Sequence, residues 1–149
     1  MRHLIKAIQY SVLLLILILT SGCCRTLESN PTAPTSVRGW QEYDEQGVHA
    51  VGEFVLKKGQ SIDNGKIGVE LLKTIAPVKC YEPFAEQDLF PKAVVRFYAL
   101  PSKETLLEVE VRKQTSNGLK QPVSDYGINA IYVRDINTKD GWLWFELWR

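Results

Sequence analysis

Ala93-Val94-Val95-Arg96-Phe97-Tyr98-Ala99-Leu100, Pro101-Ser102-Lys103-Glu104, Thr105-Leu106-Leu107-Glu108-Val109-Glu110-Val111-Arg112-Lys113: two runs rich in β-branched and aromatic residues, joined by a turn that opens on proline. In an extended chain successive side chains point to opposite faces, so Leu107, Val109 and Val111 fall on one side while Glu108, Glu110 and Arg112 fall on the other. The first run behaves the same way, with Val95, Phe97 and Ala99 opposed to Val94, Arg96 and Tyr98. A helix would scatter these residues over its surface. The stretch is therefore read as an antiparallel hairpin with one wet and one dry face, and the proline-led turn sets its register.

The same signature extends outward in both directions. Upstream, residues 67–75 alternate Ile67, Val69 and Leu71 against Gly68, Glu70 and Leu72, and residues 49–57 form another strand. Between them lies 58–66, which contains Gly59 and the turn signal Asp63-Asn64-Gly65. Downstream, 128–136 and 142–148 form a second hairpin closed by Asn137-Thr138-Lys139-Asp140-Gly141. Six or seven antiparallel strands are predicted. Strands with one dry face need a second sheet to cover them, so the fold class is all-β, an antiparallel β-sandwich. An immunoglobulin-like arrangement is the reference expectation, although the paired cysteines and central tryptophan of antibody domains are absent. The sandwich should occupy residues 39–149 as a single domain, large enough to bury one core without disulfides.

The chain before residue 39 has a different character. Arg2 and Lys6 precede an unbroken apolar run at 12–19, which passes into the small residues Thr20-Ser21-Gly22 and then Cys23. That order is a basic region, a short apolar region and a cleavage region. The apolar run is shorter than the roughly 20 residues needed to cross about 30 Å of hydrocarbon, so it reads as a cleaved signal segment rather than a permanent span. From 25 to 38 the composition turns to Thr, Ser, Asn and Pro without an apolar period, which is a linker.

Leu19-Thr20-Ser21-Gly22-Cys23 resembles the lipobox of bacterial lipoprotein precursors, with Thr20 standing where that family most often has leucine. The resemblance covers only the first 23 residues. It implies diacylglycerol on the Cys23 thiol and cleavage between Gly22 and Cys23, making 1–22 a signal peptide and 23–38 a lipidated tether. Small residues let an extended backbone enter a protease site, and a thiol is the side chain readily alkylated to a thioether. An aspartate after the lipidated cysteine would resemble an inner-membrane retention signal. Here that position is Cys24, which favours the outer membrane in a Gram-negative host.

Charge gives no other means of attachment. Loss of Arg2 and Lys6 from the 18 basic residues leaves 16 against 17 acidic ones. A near-neutral chain without a basic run excludes nucleic acid as an expected partner and leaves the lipid as the link to a membrane.

Two stretches are candidate binding surfaces. In Gly141-Trp142-Leu143-Trp144-Phe145-Glu146-Leu147-Trp148-Arg149, one face carries Leu143, Phe145 and Leu147 and the other Trp142, Trp144 and Trp148. The preferred reading is a central strand buried on both sides, with the 76–92 segment over one of them. The alternative is an aromatic platform for a protein partner or for sugar rings, as in a carbohydrate or peptidoglycan binder. The 76–92 connection itself is long, holds three prolines and displays Tyr81, Phe84, Leu89 and Phe90, with a helical turn expected over 84–89. It serves either to cap a sheet edge or to face a partner.

Chemistry has little to build on. Metal sites and nucleophilic triads need clusters of His, Cys and carboxylates, and His49 is the single histidine left after cleavage. No metal or other cofactor is expected, nor an enzyme. The catalytic alternative is a hydrolase pairing Glu42, Asp44 or Glu45 with Glu82, Glu86 or Asp88. Cys24 and Cys80 are a candidate disulfide in an oxidising compartment, the alternative being a buried unpaired Cys80. The sequence thus predicts a lipid-anchored envelope protein with a non-enzymatic binding or structural domain.

Overall fold

The structure is a computed structural model and describes residues 31–45, 48–77, 90–113 and 116–149. It is a sandwich of two open antiparallel sheets. The strands in chain order are β1 (Gly39–Glu45), β2 (Val48–Lys57), β3 (Ser61–Asp63), β4 (Ile67–Ile75), β5 (Lys92–Ala99), β6 (Thr105–Arg112), β7 (Ser116–Gly118), β8 (Ala130–Asn137) and β9 (Trp142–Trp148). One sheet has the order β1-β2-β9-β8-β7 and the other β3-β4-β5-β6.

Among the described residues nine strands stand where six or seven were predicted. The six long strands match the alternating runs closely, with 67–75 and 142–148 recovered residue for residue. The additional ones are β1 and the three-residue edge strands β3 and β7. The order also departs from the immunoglobulin expectation. Those domains split their strands into ABED and CFG sheets, whereas here β3 to β6 form one meander and β7 to β9 another. Only β2 beside β9 brings together distant parts of the chain in the larger sheet. The reason is that consecutive strands are joined by short turns wherever possible, and the chain changes sheet only after β2 and after β6.

Alternation decides what is inside. Leu71, Val95 and Val109 lie abreast across β4, β5 and β6, as do Val69, Phe97 and Leu107, and they face the other sheet. From the larger sheet come Phe54 and Leu56 of β2, Ile131, Val133 and Ile136 of β8, and Leu143, Phe145 and Leu147 of β9. Trp40 of β1 packs on Phe54 with ring centroids 4.8 Å apart, and Phe54 packs on Phe145 at 5.6 Å. This aromatic series ties the edge strand to the centre of the core. A short 3-10 turn over Val123–Tyr126 closes one end, burying Val123 and leaving through Gly127 at φ 78°. A side chain at that positive φ would be strained, which explains the glycine.

Turns behave as read. Asp63 and Asn64 side chains accept backbone N–H groups of Gly65, Lys66 and Ile67 at 3.0 Å, holding the β3–β4 turn. The β5–β6 turn includes Lys103 at φ 58°, with Lys103 N–H donating to the Ala99 carbonyl at 2.8 Å.

Gly68 is the residue that shapes the outer face of the smaller sheet. Its cross-strand neighbour is Tyr98, and a Cβ on Gly68 would lie 2.1 Å from the Tyr98 ring. The ring occupies the missing side chain's place, so an outward-pointing tyrosine is nevertheless buried. Beside it Arg96 sits between Glu70 and Glu108 across the strands and pairs with Glu70. Hydrogen bonding to Glu70, reinforced by that carboxylate's charge, raises the Arg96 guanidinium above its ordinary pKa.

Candidate functional site

The outer face of the five-stranded sheet holds the three tryptophans that the sequence predicts as a binding surface. On β9, Trp142, Trp144, Glu146 and Trp148 project away from the core, and β8 supplies Tyr132 and Arg134 on the same side. β2 supplies Glu53, next to Trp144 through the pairing of Glu53 with Glu146 and Val55 with Trp144. The side chains interlock. Tyr132 and Trp148 stack with rings 5.4 Å apart and 11° from parallel. The Arg134 guanidinium lies 4.9 Å from the Tyr132 ring centre, within range of a cation–π attraction.

Glu146 is the hub. It is only 3% exposed although it points away from the core. Arg134 donates to its Oε1 from Nε at 2.8 Å and from Nη2 at 2.6 Å, and Trp148 Nε1 donates to its Oε2 at 3.0 Å. Both oxygens are therefore satisfied, which is what allows a carboxylate to be buried. A second indole-to-carboxylate bond runs from Trp144 Nε1 to Glu53 Oε1 at 2.9 Å. Carboxylates thus alternate with rings across the face and lock their orientation.

The three tryptophans do not form an open planar row. Trp142 is 4% exposed, beside the β8–β9 turn, while Trp144 and Trp148 are half-buried. β9 is central in its sheet, and of the 76–92 segment expected to cover one of its sides, residues 78–89 lie outside the described residues. Sequence reasoning assigns Glu146 no role, yet it is the residue that organises the face. Its isolation among Trp144, Phe145, Leu147 and Trp148 was the available signal, because a lone carboxylate there needs a cationic or N–H partner.

A concavity lies at the end of the sandwich where β9 finishes. It has a volume of about 230 Å³ and is lined by Trp40, Val51, Asn64, Tyr126, Ile128 and Arg149 among others. The Trp40 indole N–H is buried without an acceptor. Sequence reading did not assemble this group, since its members come from β1, β2, the β3–β4 turn, the 3-10 turn and the end of β9.

Of the loop aromatics, Phe90 is exposed by 58%. Tyr81, Phe84 and Leu89, the helical turn expected over 84–89, Gly22, Cys23, Cys24 and Cys80 lie outside the described residues. So do Glu82, Glu86 and Asp88, and the side chains of Glu42, Asp44 and Glu45 lie outside what the structure describes. Among the described residues there is no group of three His, Cys, Asp or Glu side chains suited to a metal, and no helix is long and apolar enough to cross a membrane.

Comparison with known proteins returns no relationship: no protein-family model, no curated protein and no solved structure matches the chain. The class of protein is thus given by its own architecture, an antiparallel β-sandwich.

Proposed function

We propose that this chain is a lipid-anchored cell-envelope protein whose β-sandwich is a non-catalytic binding or structural domain. The observation that carries the proposal is the order of the chain: a basic start, an apolar run, Leu19-Thr20-Ser21-Gly22-Cys23, and a linker containing Pro31 and Pro34 that leads into β1 at Gly39. That order places a folded β-domain a short distance beyond an acylated cysteine. In a Gram-negative host Cys24 directs it to the outer membrane. Mass spectrometry of the mature N-terminus is the test: a diacylglycerol-bearing Cys23 as first residue is expected, and an unmodified cysteine would refute the anchor.

Within that reading the outer face of the five-stranded sheet is the partner surface. Trp144, Trp148 and Tyr132 present large rings at low conformational cost, already oriented by Glu53, Glu146 and Arg134. A protein partner suits a face whose rings are half-covered and whose hydrogen-bond groups are paired. A glycan is the second reading, favoured by the parallel Tyr132–Trp148 stack with carboxylates alongside. Titration of intrinsic tryptophan fluorescence with soluble peptidoglycan fragments separates the two. A saturable change lost in Trp148→Ala supports the glycan, and an unchanged spectrum rejects it.

A further inference from the structure

The tether is tied to the domain at Pro31. Asn137 Nδ2 donates to the Pro31 carbonyl at 3.1 Å and to Asp140 Oδ2 at 2.9 Å, while Asn137 Oδ1 accepts from the Asp140 backbone N–H at 2.8 Å. Asn137 is almost fully buried, so this amide is fixed by its surroundings rather than free on the surface. It sits where β8 turns into β9. Among the described residues, the chain coming from Cys23 thus begins against the sandwich end with the β8–β9 turn.

From Cys23 to Pro31 there are eight peptide steps. Fully extended they span about 27 Å, and a polar chain of that length averages roughly 15 Å end to end. The seven residues of β9 alone cover about 20 Å from the turn to the far end of the sheet. Turning the far end to the bilayer would require a nearly straight tether, which costs chain entropy; turning the near end requires nothing.

The near end is also chemically suited to headgroups. Lys58 N–H donates to the Gly141 carbonyl at 2.8 Å, which sets the Lys57–Lys58 corner beside the β8–β9 turn and its Lys139. All three lysine side chains are exposed. The Gly59 N–H donates to the Leu71 carbonyl, so β4 passes this corner at Leu71 and continues to Ile75, paired with Lys92. Phe90, two residues before Lys92, thereby lies at the same end with an exposed ring, a side chain that partitions into the interfacial region of a bilayer.

We infer that the domain is held in one orientation, with the β8–β9 turn, the Lys57–Lys58 corner and Phe90 against the phospholipid headgroups and the Trp40–Tyr126 cavity pointing away. This rests on the lipid at Cys23. The lysines are too few to bind a membrane alone, and they act on a domain the tether has already brought close. The cavity then opens toward partners on the distal side.

Amine-reactive footprinting of the full-length lipidated protein in vesicles of phosphatidylethanolamine and phosphatidylglycerol tests this. Each lysine is compared with its own reactivity after the bilayer is dissolved in detergent. Lys58 and Lys139 should be protected several-fold, while Lys103 in the β5–β6 turn and Lys120 beside the 3-10 turn should be unaffected. Equal protection at both ends, or protection at Lys103 and Lys120 alone, overturns the orientation. Failure of the protein to float with the vesicles overturns the anchor instead. An Asn137→Ala variant that stays folded should lose much of the difference between the two ends; an unchanged difference would overturn the role given to the Pro31 tie.

Discussion

Replacing Cys23 by serine is expected to abolish acylation completely and to leave an uncleaved precursor, heavier by residues 1–22 and lacking the lipid. The thiolate is the nucleophile that forms a thioether, and a serine hydroxyl at neutral pH is not ionised enough to replace it. The resemblance to lipoprotein precursors implies that lipid addition precedes the cut, so one substitution blocks both steps. The loss should be large because attachment depends on chain number: one acyl chain gives marginal binding, two give stable anchoring, at about 0.8 kcal/mol per buried methylene. Charge does not compensate, because the uncleaved chain keeps Arg2 and Lys6 and so sets 18 basic residues against 17 acidic ones. Incorporation of labelled palmitate, read together with the N-terminal mass, is the measurement. Cys24→Ser serves as control and should retain the label. Label retained in Cys23→Ser and lost in Cys24→Ser would move the anchor by one residue and refute the assignment.

The parts of this molecule that could be read from sequence are those where local pattern and tertiary burial agree. β5 alternates from Lys92 to Phe97 and β6 from Leu107 to Arg112, and over those residues the sheet buries the side that the pattern marked; beyond them the pairing slips between Phe97 and Tyr98, and Tyr98 is buried from the other face. β3 and β7 have three residues each, too few for alternation to register. β1 was hidden for another reason. Trp40 and Tyr43 are three apart in a strand of mostly polar residues, and its pairing with β2 slips between them, so period-two spacing is broken by the irregularity itself. Pairing of β2 with β9 joins residues nearly the length of the domain apart, and no local pattern specifies it.

The candidate site divides along the same line. Which face of β9 carries the indoles follows from alternation; how far each is covered does not. Cover comes from Tyr132 and Arg134 on β8 and Glu53 on β2, so it depends on strand order. Gly68 illustrates the point in reverse. A lone glycine inside an apolar strand signals a close approach, and the approaching group, Tyr98, is identified only by register.

Two adjacent substitutions on β9 distinguish its faces quantitatively. Phe145→Ala should destabilise the domain by about 3–5 kcal/mol, the cost of emptying a large aromatic site in a packed core. Phe145 is fully buried, its cross-strand neighbours are Phe54 and Val133, and its ring is the inner end of the series that runs through Phe54 to Trp40. The void would open between the sheets, where neighbours fixed by strand pairing have little freedom to collapse into it. For a domain whose total stability is on the order of 5–15 kcal/mol, that loss leaves a substantial unfolded fraction. Trp144→Ala removes a larger side chain from the next position yet should cost only about 1–2 kcal/mol, because Trp144 is half-buried and Glu53 can return to water once its indole partner is gone. Urea unfolding followed by circular dichroism measures both, with unchanged slopes required for the comparison to hold. Equal costs would mean that β9 is enclosed alike on its two faces. The outer face could then not be the partner surface, since a surface sealed within the domain has no side left to offer.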